Sequence, residues 1–364
     1  MKLAMTIMVR DEADIIAAML DHHEAQGVDT FIVTDNGSVD GTTEILERYA
    51  AEGRIDLRHD PVHRKQQAPV VTQMARDAYT RYGADWVINA DADEFFLPVD
   101  RTKTLHEVFE QIPKTYLSFL VPVVNLTGAP AKDGTGFDRL VYRDARTQDQ
   151  LELAGVRAHP TPDAVHIGSP DIDVIQGNHF VSLASQGSPP PELAIEVLHL
   201  PWRSWKQYKN KVEISGRAYE SNPELTPSPN HHGMRDYARL KAGALLPYYF
   251  MRHPTPEELE QGAVDGTLVR DDVLADALTA PVPDADFDKA TRKAQLAFSE
   301  ALRYDRVQRA KRIASGFEDR LEAAAEREAD LAARLAVVEG EAAALRSRRV
   351  VRATDRLARL VRRR

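Results

Sequence analysis

The first hundred residues alternate between strand-like and helix-like stretches, and this alternation constrains the fold more than any other feature. Short apolar runs typical of buried strands alternate with longer segments whose apolar residues recur at helical spacing. The predicted strands are residues 3–9, 30–34, 55–59 and 85–90, and the predicted helices lie within 11–27, 38–53 and 66–83. This order predicts βαβ units, a mostly parallel sheet and right-handed crossovers.

Polar loops follow three of these strands, with the sequences "RDE", "TDNGSVDG" and "DADE". The carboxyl ends of parallel strands lie at one edge of a sheet, and ligands bind beyond that edge. Asp91 and Asp93 follow the fourth strand, where both carboxylates can converge on Mg²⁺ or Mn²⁺, ions that leave coordination positions for substrate phosphates. Asp35 and Asn36 end the second strand and can bind a base or ribose. A solvated or capped turn is the alternative for each loop.

The composition fits a globular protein with a large core. The chain has 364 residues, of which 43% are hydrophobic, enough for one large domain or two ordinary ones. It has no cysteine, which excludes a disulfide framework, thiolate metal sites and a cysteine nucleophile. Neither a signal peptide nor an apolar run of about 18 residues is evident. We therefore expect a cytoplasmic protein.

Charge is unevenly distributed along the chain. Residues 346–364 hold nine arginines against Asp355, a net charge of +8, so residues 1–345 carry −17 and the whole chain −9. A body this acidic argues against nucleic-acid binding. The tail itself reads as a basic amphipathic helix that can contact an anionic membrane surface from the cytoplasmic side. A solvated end is the alternative.

A heptad pattern precedes the basic tail. The 4-3 seam, broken only by Glu328, comprises Phe317, Leu321, Ala324, Glu328, Leu331, Leu335, Val338, Ala342 and Leu345. Such a seam, flanked by Glu and Arg, predicts a self-associating coiled coil and hence a homo-oligomer. A long helix packed on its own domain is the alternative. Upstream, residues 204–221 are predicted to be helical, whereas 98–200 indicate further strands and long loops.

Four segments match a known family in their order and spacing: "IMVRDEADII", "VTDNGSVDGTTEIL", "MARDAY" and "WVINADADEFF". They resemble the nucleotide-diphospho-sugar domain of family 2 glycosyltransferases of the GT-A fold. The closer likeness is to a bacterial subgroup with a D-x-D-E-F core and two later motifs, here "GNHF" (177–180) and "LHLPWRSWKQYKNK" (198–211). The likeness covers about residues 1–220, and the combination is far more specific than any single motif.

The resemblance implies a role for each matching position. Asp35 stands at the family's base- or ribose-contacting acid, whereas Asn36 and Asp77 depart from the family's Asp and Asn. The predicted nucleotide-sugar-binding residues are Val9, Arg10, Glu12, Asp35, Asn36, Arg76, Asp91, Ala92 and Arg203. Asp91 and Asp93 match the metal-binding D-x-D, and His199 matches the later histidine that often completes the metal shell. An imidazole suits Mn²⁺ better than Mg²⁺.

The second half of the chain offers further candidates. An inverting transfer needs a base for the acceptor hydroxyl, and the candidates are Asp171, Asp173 and Glu94, which no motif separates. His179 is a candidate for lining the donor or acceptor site. Arg203, Lys206 and Lys211 are candidates for neutralising a diphosphate, although Lys211 also suits an exposed helix position.

These observations predict an α/β protein of the GT-A fold with a helical, coiled-coil C-terminal extension. The predicted activity is metal-dependent, inverting transfer of a sugar from a nucleoside-diphosphate sugar, expected to be a UDP-sugar, to a saccharide acceptor of capsule or cell-surface polysaccharide synthesis. The alternative is a non-catalytic sugar-nucleotide binder or scaffold assembled by its coiled coil. The predicted domains are 1–315 (donor half about 1–97, acceptor half about 98–250, helical part about 255–315), the coiled-coil helix 316–346 and the basic tail 347–364.

Overall fold

The protein was analysed as a computed structural model that describes residues 1–61, 67–175, 177–220, 232–347 and 349–362. The chain divides into two compact units, Met1–Arg303 and Tyr304–Arg364. Among the described helices, none is long and apolar enough to cross a membrane.

A six-stranded sheet forms the centre of the first unit, in the order β3-β2-β1-β4-β9-β6. Its strands are β1 (Leu3–Val9), β2 (Thr30–Asp35), β3 (Ile55–His59), β4 (Trp86–Ala90), β6 (Ser118–Val121) and β9 (Asp163–Ile167). The first four are parallel, whereas β9 is antiparallel to both β4 and β6. The predicted α/β fold is therefore confirmed, with a parallel half that the sequence predicts strand by strand and an antiparallel half that it does not.

Three helices connect the parallel strands, as predicted: α1 (Ile16–Ala25), α2 (Thr42–Ala51) and α3 (Gln67–Thr80). Strands β1, β2 and β4 are almost continuously buried, as expected for a parallel sheet covered on both faces, whereas the edge strand β3 is mostly partly buried. The central core includes Trp86, whose ring lies 5.6 Å from those of Phe109 and Phe119, centroid to centroid. This core fixes the sheet edge at which the polar loops lie.

A second, mostly antiparallel sheet has the order β11-β8-β7-β10-β5. Its strands are β5 (Glu94–Pro98), β7 (Val123–Thr127), β8 (Tyr142–Asp144), β10 (Ile195–His199) and β11 (Leu268–Arg270). Strand β10 lies between β5 and β7 and places His199 opposite both Glu94 and Asn125. The D-x-D loop therefore leads directly into a strand that is hydrogen-bonded to the strand carrying His199.

The remaining helices of the first unit are α4 (Leu105–Gln111), α5 (Gln148–Leu153), α6 (Trp205–Glu220), α7 (His232–Lys241), α8 (Leu246–Arg252), α9 (Pro256–Asp265) and α10 (Val273–Ala277). Helix α6 confirms the helix predicted over 204–221. Its buried face packs with α7 and α8 through Tyr208, Tyr237 and Tyr249.

Two helices end the chain, α11 (Lys289–Ser347) and α12 (Arg349–Val361). The unit boundary after Arg303 falls within α11, and the predicted domain division at 315 stays a prediction. Leu321, Leu331 and Leu335 of the heptad seam are each about 60% exposed. Val338 is 59% exposed as well. The side chains of five further predicted apolar positions lie outside the described part: Phe317, Leu345, Val350, Leu357 and Val361. The coiled coil therefore also stays a prediction.

Candidate active site

The loops after β1 and β2 are joined by side-chain hydrogen bonds. Asp11 Oδ1 accepts from the Val39 N–H at 2.7 Å, and Ser38 Oγ accepts from the Asp11 N–H at 3.0 Å. Thr42 Oγ1 accepts from the Glu12 N–H at 2.9 Å. The two loops therefore form one rigid rim beside the D-x-D loop, which follows β4.

Asp93 lies at the centre of the polar cluster and is 1% exposed. Its Oδ2 atom is 3.0 Å from Lys211 Nζ, 3.6 Å from His199 Nε2 and 3.7 Å from Arg203 Nη1. Burial by itself raises the pKa of Asp93, but Lys211 and His199 outweigh it and hold that pKa well below its usual range. Asp93 is therefore an anion at neutral pH, surrounded by nitrogen atoms.

Arg203 is completely buried and pairs with carboxylates of the β1 loop. Its Nε and Nη2 donate to the two carboxylate oxygens of Asp14 at 2.6 and 2.8 Å, and Nη2 also donates to Glu12. Burial raises the pKa of Glu12 to about 7, although Arg203 counteracts the rise. Arg203 thus joins the loop after β1 to the segment after β10, and its predicted role at a diphosphate stays a prediction.

His199 has one ring nitrogen fixed and the other directed at Asp93. Its Nδ1 donates to Asn125 Oδ1 at 2.9 Å, which leaves Nε2 as an acceptor in the neutral ring. Nε2 then faces the Asp93 carboxylate at 3.6 Å. Two acceptors at this distance repel each other unless a proton or a cation lies between them. An outer partner that fixes one nitrogen is typical of metal-binding histidines.

Asp91 is held by amide donors and by its neighbour Glu94. Its Oδ1 accepts from Gln67 Nε2 at 3.0 Å and Asn178 Nδ2 at 3.3 Å, and its N–H donates to Glu94 Oε2 at 2.8 Å. Burial and Asp93 raise the pKa of Asp91. Burial, Asp91 and Asp163 raise the pKa of Glu94 well above its usual range. This end of the cluster has surplus negative charge, which a bound cation would relieve.

Among residues of the described ranges, no group of three His, Asp or Glu side chains is arranged to hold a metal ion. The donor types nevertheless fit Mn²⁺ or Mg²⁺, since carboxylates and a neutral imidazole are ligands of these ions. Lys211 stands in the way of a metal ion at Asp93, because its ammonium lies 3.0 Å from the Asp93 oxygen that the ion would bind. A cation at Asp93 has to displace Lys211.

The predicted nucleotide-binding residues of β1 and β2 lie together at the sheet edge. Asp35 is 2% exposed, and its oxygens accept from the Ser38 and Thr43 hydroxyls at 2.7 and 2.6 Å. Arg10 Nη1 donates to the Asn36 carbonyl at 2.6 Å. Val9 and Ala92 are buried. The carboxylate of Asp35 therefore holds its own loop.

Arg76, Asp171 and Asp173 lie together at another place. Arg76 Nη2 pairs with Asp173 Oδ1 at 2.6 Å, and its Nε donates to the Ile172 carbonyl at 2.7 Å. Asp171 and Asp173 are exposed. Arg76 thus fixes the segment that precedes "GNHF" to α3, and its predicted role in binding the nucleotide sugar stays a prediction.

Sequence reasoning missed several polar residues of the cluster: Asp14, Gln67, Asn125, Asp163 and Asn178. Gln67, Asn125 and Asp163 belong to none of the quoted motifs, whereas Asp14 and Asn178 lie within "IMVRDEADII" and "GNHF" but were assigned no role. Asp14 lay four residues after Arg10 in the "RDEAD" segment, where an acidic helix start is an ordinary feature. The signal that could have found Asn178 is its place in "GNHF", between a glycine and the candidate His179.

Residues 4–137 match the model of glycosyltransferase family 92. The match includes the parallel strands and the D-x-D loop but less than half of the chain. It supports a glycosyltransferase. The motif resemblance indicated family 2, and that finer assignment stays a prediction.

Solved structures with likeness to the chain include TarS from S. aureus, at 14% identity and a TM-score of 0.31 over 68% of this chain and 43% of that chain. TarS 1-349 in complex with UDP-GlcNAc is 12% identical, with a TM-score of 0.29 over 72% of this chain and 75% of that chain. Glucosyl-3-phosphoglycerate synthase from Mycobacterium tuberculosis, in complex with Mn²⁺, UDP and glucosyl-3-phosphoglycerate, is 19% identical, with a TM-score of 0.26 over 46% of this chain and 56% of that chain.

This chain therefore spans less than two thirds of full-length TarS and of the synthase. TM-scores this low do not establish a common fold. A comparison with curated proteins gives no match.

Proposed function

We propose that the protein is a metal-dependent, inverting glycosyltransferase of the GT-A type, which transfers a sugar from a UDP-sugar to a saccharide acceptor. The observation that carries the proposal is the buried Asp93, whose Oδ2 lies within 3.7 Å of Lys211, His199 and Arg203. The family match over residues 4–137 supports the same class of enzyme. Synthesis of capsule or cell-surface polysaccharide is the proposed setting.

The charge arrangement suits a donor diphosphate. Lys211 is 48% exposed on the side chain, so its ammonium can leave Asp93 and reach a phosphate oxygen without uncovering an interior. A diphosphate adds negative charge to a cluster that already contains Asp91, Asp93 and Glu12. A divalent ion supplies the charge neutralisation that the diphosphate needs as it leaves.

The proposed metal ligands are Asp91, Asp93 and His199. Asn125 fixes the His199 ring through Nδ1 and so keeps Nε2 available as a ligand atom. Gln67 and Asn178 hold Asp91 Oδ1 in the same way, by donating amide hydrogens to it. Arg203 fixes the loop after β1 by its ion pairs with Glu12 and Asp14.

A donor screen tests the proposal directly. We expect calorimetry to detect binding of one of UDP-, GDP- and dTDP-sugars, strengthened by Mn²⁺, and we expect release of the nucleoside diphosphate in a coupled assay. Asp91→Asn and Asp93→Asn should each lower turnover by about 10²-fold or more, since each removes a charge from the site at which the leaving group is stabilised. Glu47→Gln, an exposed change on α2, is the control.

Turnover at the parent rate by both Asp variants would show that the metal role is wrong. Binding of a sugar nucleotide without any turnover would favour the alternative, a non-catalytic binder or scaffold. No binding of any sugar nucleotide, with or without Mn²⁺, would refute both.

The C-terminal helices are proposed to act outside the sugar-transfer site. The exposed leucines of α11 fit self-association through a coiled coil. The arginine-rich α12 fits contact with an anionic membrane surface at the cytoplasmic side.

A further inference from the structure

Residues 177–180 lie next to a bridge between Val174 and Val181 and are fixed to the D-x-D loop; they are called the hairpin tip below. Asn178 Nδ2 donates to Asp91 Oδ1 at 3.3 Å, and the Gly177 N–H donates to Gln67 Oε1, also at 3.3 Å. Because Gln67 itself donates to Asp91, two separate links hold the hairpin tip at the D-x-D loop. His179, which follows Asn178 at this tip, is therefore held near Asp91.

His179 at this tip is paired with a buried carboxylate. Its Nδ1 donates to Asp163 Oδ1 at 3.0 Å, and Asp163 is completely buried at the start of β9. A carboxylate can only accept, so Nδ1 carries the proton and Nε2 of the neutral ring is an acceptor. The His179 side chain is 35% exposed. An imidazole with one nitrogen oriented by a carboxylate and the ring open to solvent has the arrangement of a general base.

Two buried oxygen atoms next to this pair have no hydrogen-bond partner within the described part of the chain. They are Asp163 Oδ2 and Asn178 Oδ1. A buried acceptor without a partner costs about 1–3 kcal/mol, so the hairpin tip is arranged for donors that the protein does not supply. Hydroxyl groups of a sugar are donors of this kind.

The backbone of the hairpin tip is shaped around His179. Gly177 has φ +82°, and a Cβ added there would lie 3.0 Å from His179 Nε2. Asn178 also adopts a left-handed conformation, at φ 60°, which non-glycine residues rarely adopt. Only glycine at 177 therefore leaves the second ring nitrogen uncrowded.

The other base candidates are poorly suited to the role. Glu94 is 6% exposed, and its Oε2 accepts the Asp91 N–H at 2.8 Å, so this carboxylate already holds the D-x-D loop. Asp173 is exposed and its carboxylate is paired with Arg76. Asp171 is exposed two residues earlier. Glu94 and Asp173 thus have carboxylate oxygens engaged within the protein, and Asp171 lies on the same exposed segment as Asp173.

We propose that His179 is the general base of the sugar transfer and that Asp163 is its positioning residue; this rests on the proposed function. Nε2 takes the proton of the acceptor hydroxyl, and the hydroxyl oxygen bonds to the anomeric carbon of the donor. The bond from that carbon to the diphosphate oxygen breaks, and its electron pair leaves with the nucleoside diphosphate. Asp163 stabilises the imidazolium, which returns its proton to water after the product leaves.

The charged groups that face the ring are consistent with this role. The hydrogen bond to Asp163, followed by the charges of Asp163 and Asp91, raises the pKa of His179 despite its partial burial. A more basic imidazole is a stronger base once it is unprotonated, because proton transfer to it is more favourable.

The test uses the full chain with the donor that the screen identifies, and it measures binding and turnover separately. His179→Ala should lower kcat by about 10²–10⁴-fold while the donor Kd changes less than about twofold, and added imidazole should restore turnover. Asp163→Asn should lower kcat similarly without rescue, because its amide can donate to Nδ1 and so move the ring proton to Nε2. His106→Ala is the matched control, since His106 is 30% exposed and lies against Asp29, away from the cluster.

Several results would overturn the role of His179. One is parent-like turnover by His179→Ala or His179→Gln. Another is a loss of turnover that imidazole does not restore, and a third is donor binding that weakens as much as kcat. If the parent protein binds sugar nucleotides but turns none over, or binds none, then the proposed function itself fails and this role fails with it. Parent turnover with unaffected variants refutes only the role of His179.

Discussion

Replacing Arg203 by methionine should destabilise the Met1–Arg303 unit by about 3–5 kcal/mol, the usual effect of removing one partner of a buried ion pair. Arg203 is completely buried, and its guanidinium donates to both oxygens of Asp14 at 2.6 and 2.8 Å and also to Glu12. Methionine fills much of the same volume but leaves Glu12 and Asp14 without the charge that compensates them.

The size of the loss should depend on pH because Glu12 can take up a proton. Burial raises its pKa to about 7 even with Arg203 present, and Arg203 acts to lower it. Without Arg203 the folded-state pKa of Glu12 rises further above its unfolded value. A raised carboxyl pKa costs stability as pH increases above the unfolded pKa. The deficit of Arg203→Met should therefore be larger at pH 8 than at pH 6.

Urea unfolding followed by tryptophan fluorescence measures this loss. All three tryptophans of the chain lie in the first unit, so the signal reports that unit. Lys206→Met is the control, because Lys206 is 73% exposed and its pair with Asp133 is solvated, which makes such a pair worth about 0–1 kcal/mol. If Arg203→Met unfolds within about 1 kcal/mol of the parent at both pH values, the buried ion-pair argument is wrong.

The remaining predictions concern pH, the cation and the C-terminal helices. Burial lowers the pKa of His22 and His166 to about 4 and that of His253 to about 3. The contribution of these histidines to stability should therefore be full above about pH 6.5 and fall below it by up to about 1.4 kcal/mol per pH unit for each, opposed by buried carboxyls whose pKa is raised, such as that of Glu12. A urea midpoint that does not fall between pH 7 and 5 would contradict this. Lys211→Met should bind Mn²⁺ more tightly in calorimetry, because the ammonium 3.0 Å from Asp93 Oδ2 no longer competes; weaker Mn²⁺ binding would show that Lys211 does not occupy the cation position. Deleting residues 316–364 should lower the mass in light scattering and spare donor binding, and an unchanged mass would refute the coiled coil.

The parallel half of the fold could be predicted because each element carries its own signal. Strands β1 to β4 are short apolar runs bounded by polar loops. The segments that connect them have apolar residues at helical spacing. Local pattern was sufficient to locate these strands and the helices between them. It does not give their order in the sheet, because β4 pairs with β1 and not with β3, its neighbour in sequence.

The second sheet could not be predicted in this way, because its pairings join distant parts of the chain. Strand β10 pairs with β5, almost a hundred residues earlier, and this pairing alone places His199 opposite Glu94. His199 was predicted only through the family resemblance. Asn125 and Asp163 are single polar residues without a motif, and Asn178 lies in "GNHF" with no role assigned to it. Their proximity to the site exists only once the chain is folded.

Arg203 shows a different limit of sequence reasoning. An arginine after a histidine motif predicts a partner for phosphate, but the sequence does not reveal that Asp14 and Glu12 are closer partners. The choice between a ligand and an internal carboxylate depends on burial, which only the folded chain defines.

The long separation between the two halves of the site has a consequence for synthesis of the chain. Lys211 contacts Asp93 across 118 residues, and Arg203 contacts Asp14 across 189 residues. The parallel strands β1 to β4 leave the ribosome long before either cation does. A nascent chain of that length carries Glu12, Asp14 and Asp93 without Arg203 and Lys211, and contacts of such separation form late and slowly. Arg203 and Lys211 are therefore the last charged residues of the site to be synthesised. A truncated chain that ends before Arg203 would contain the acidic residues of the site without these two cations.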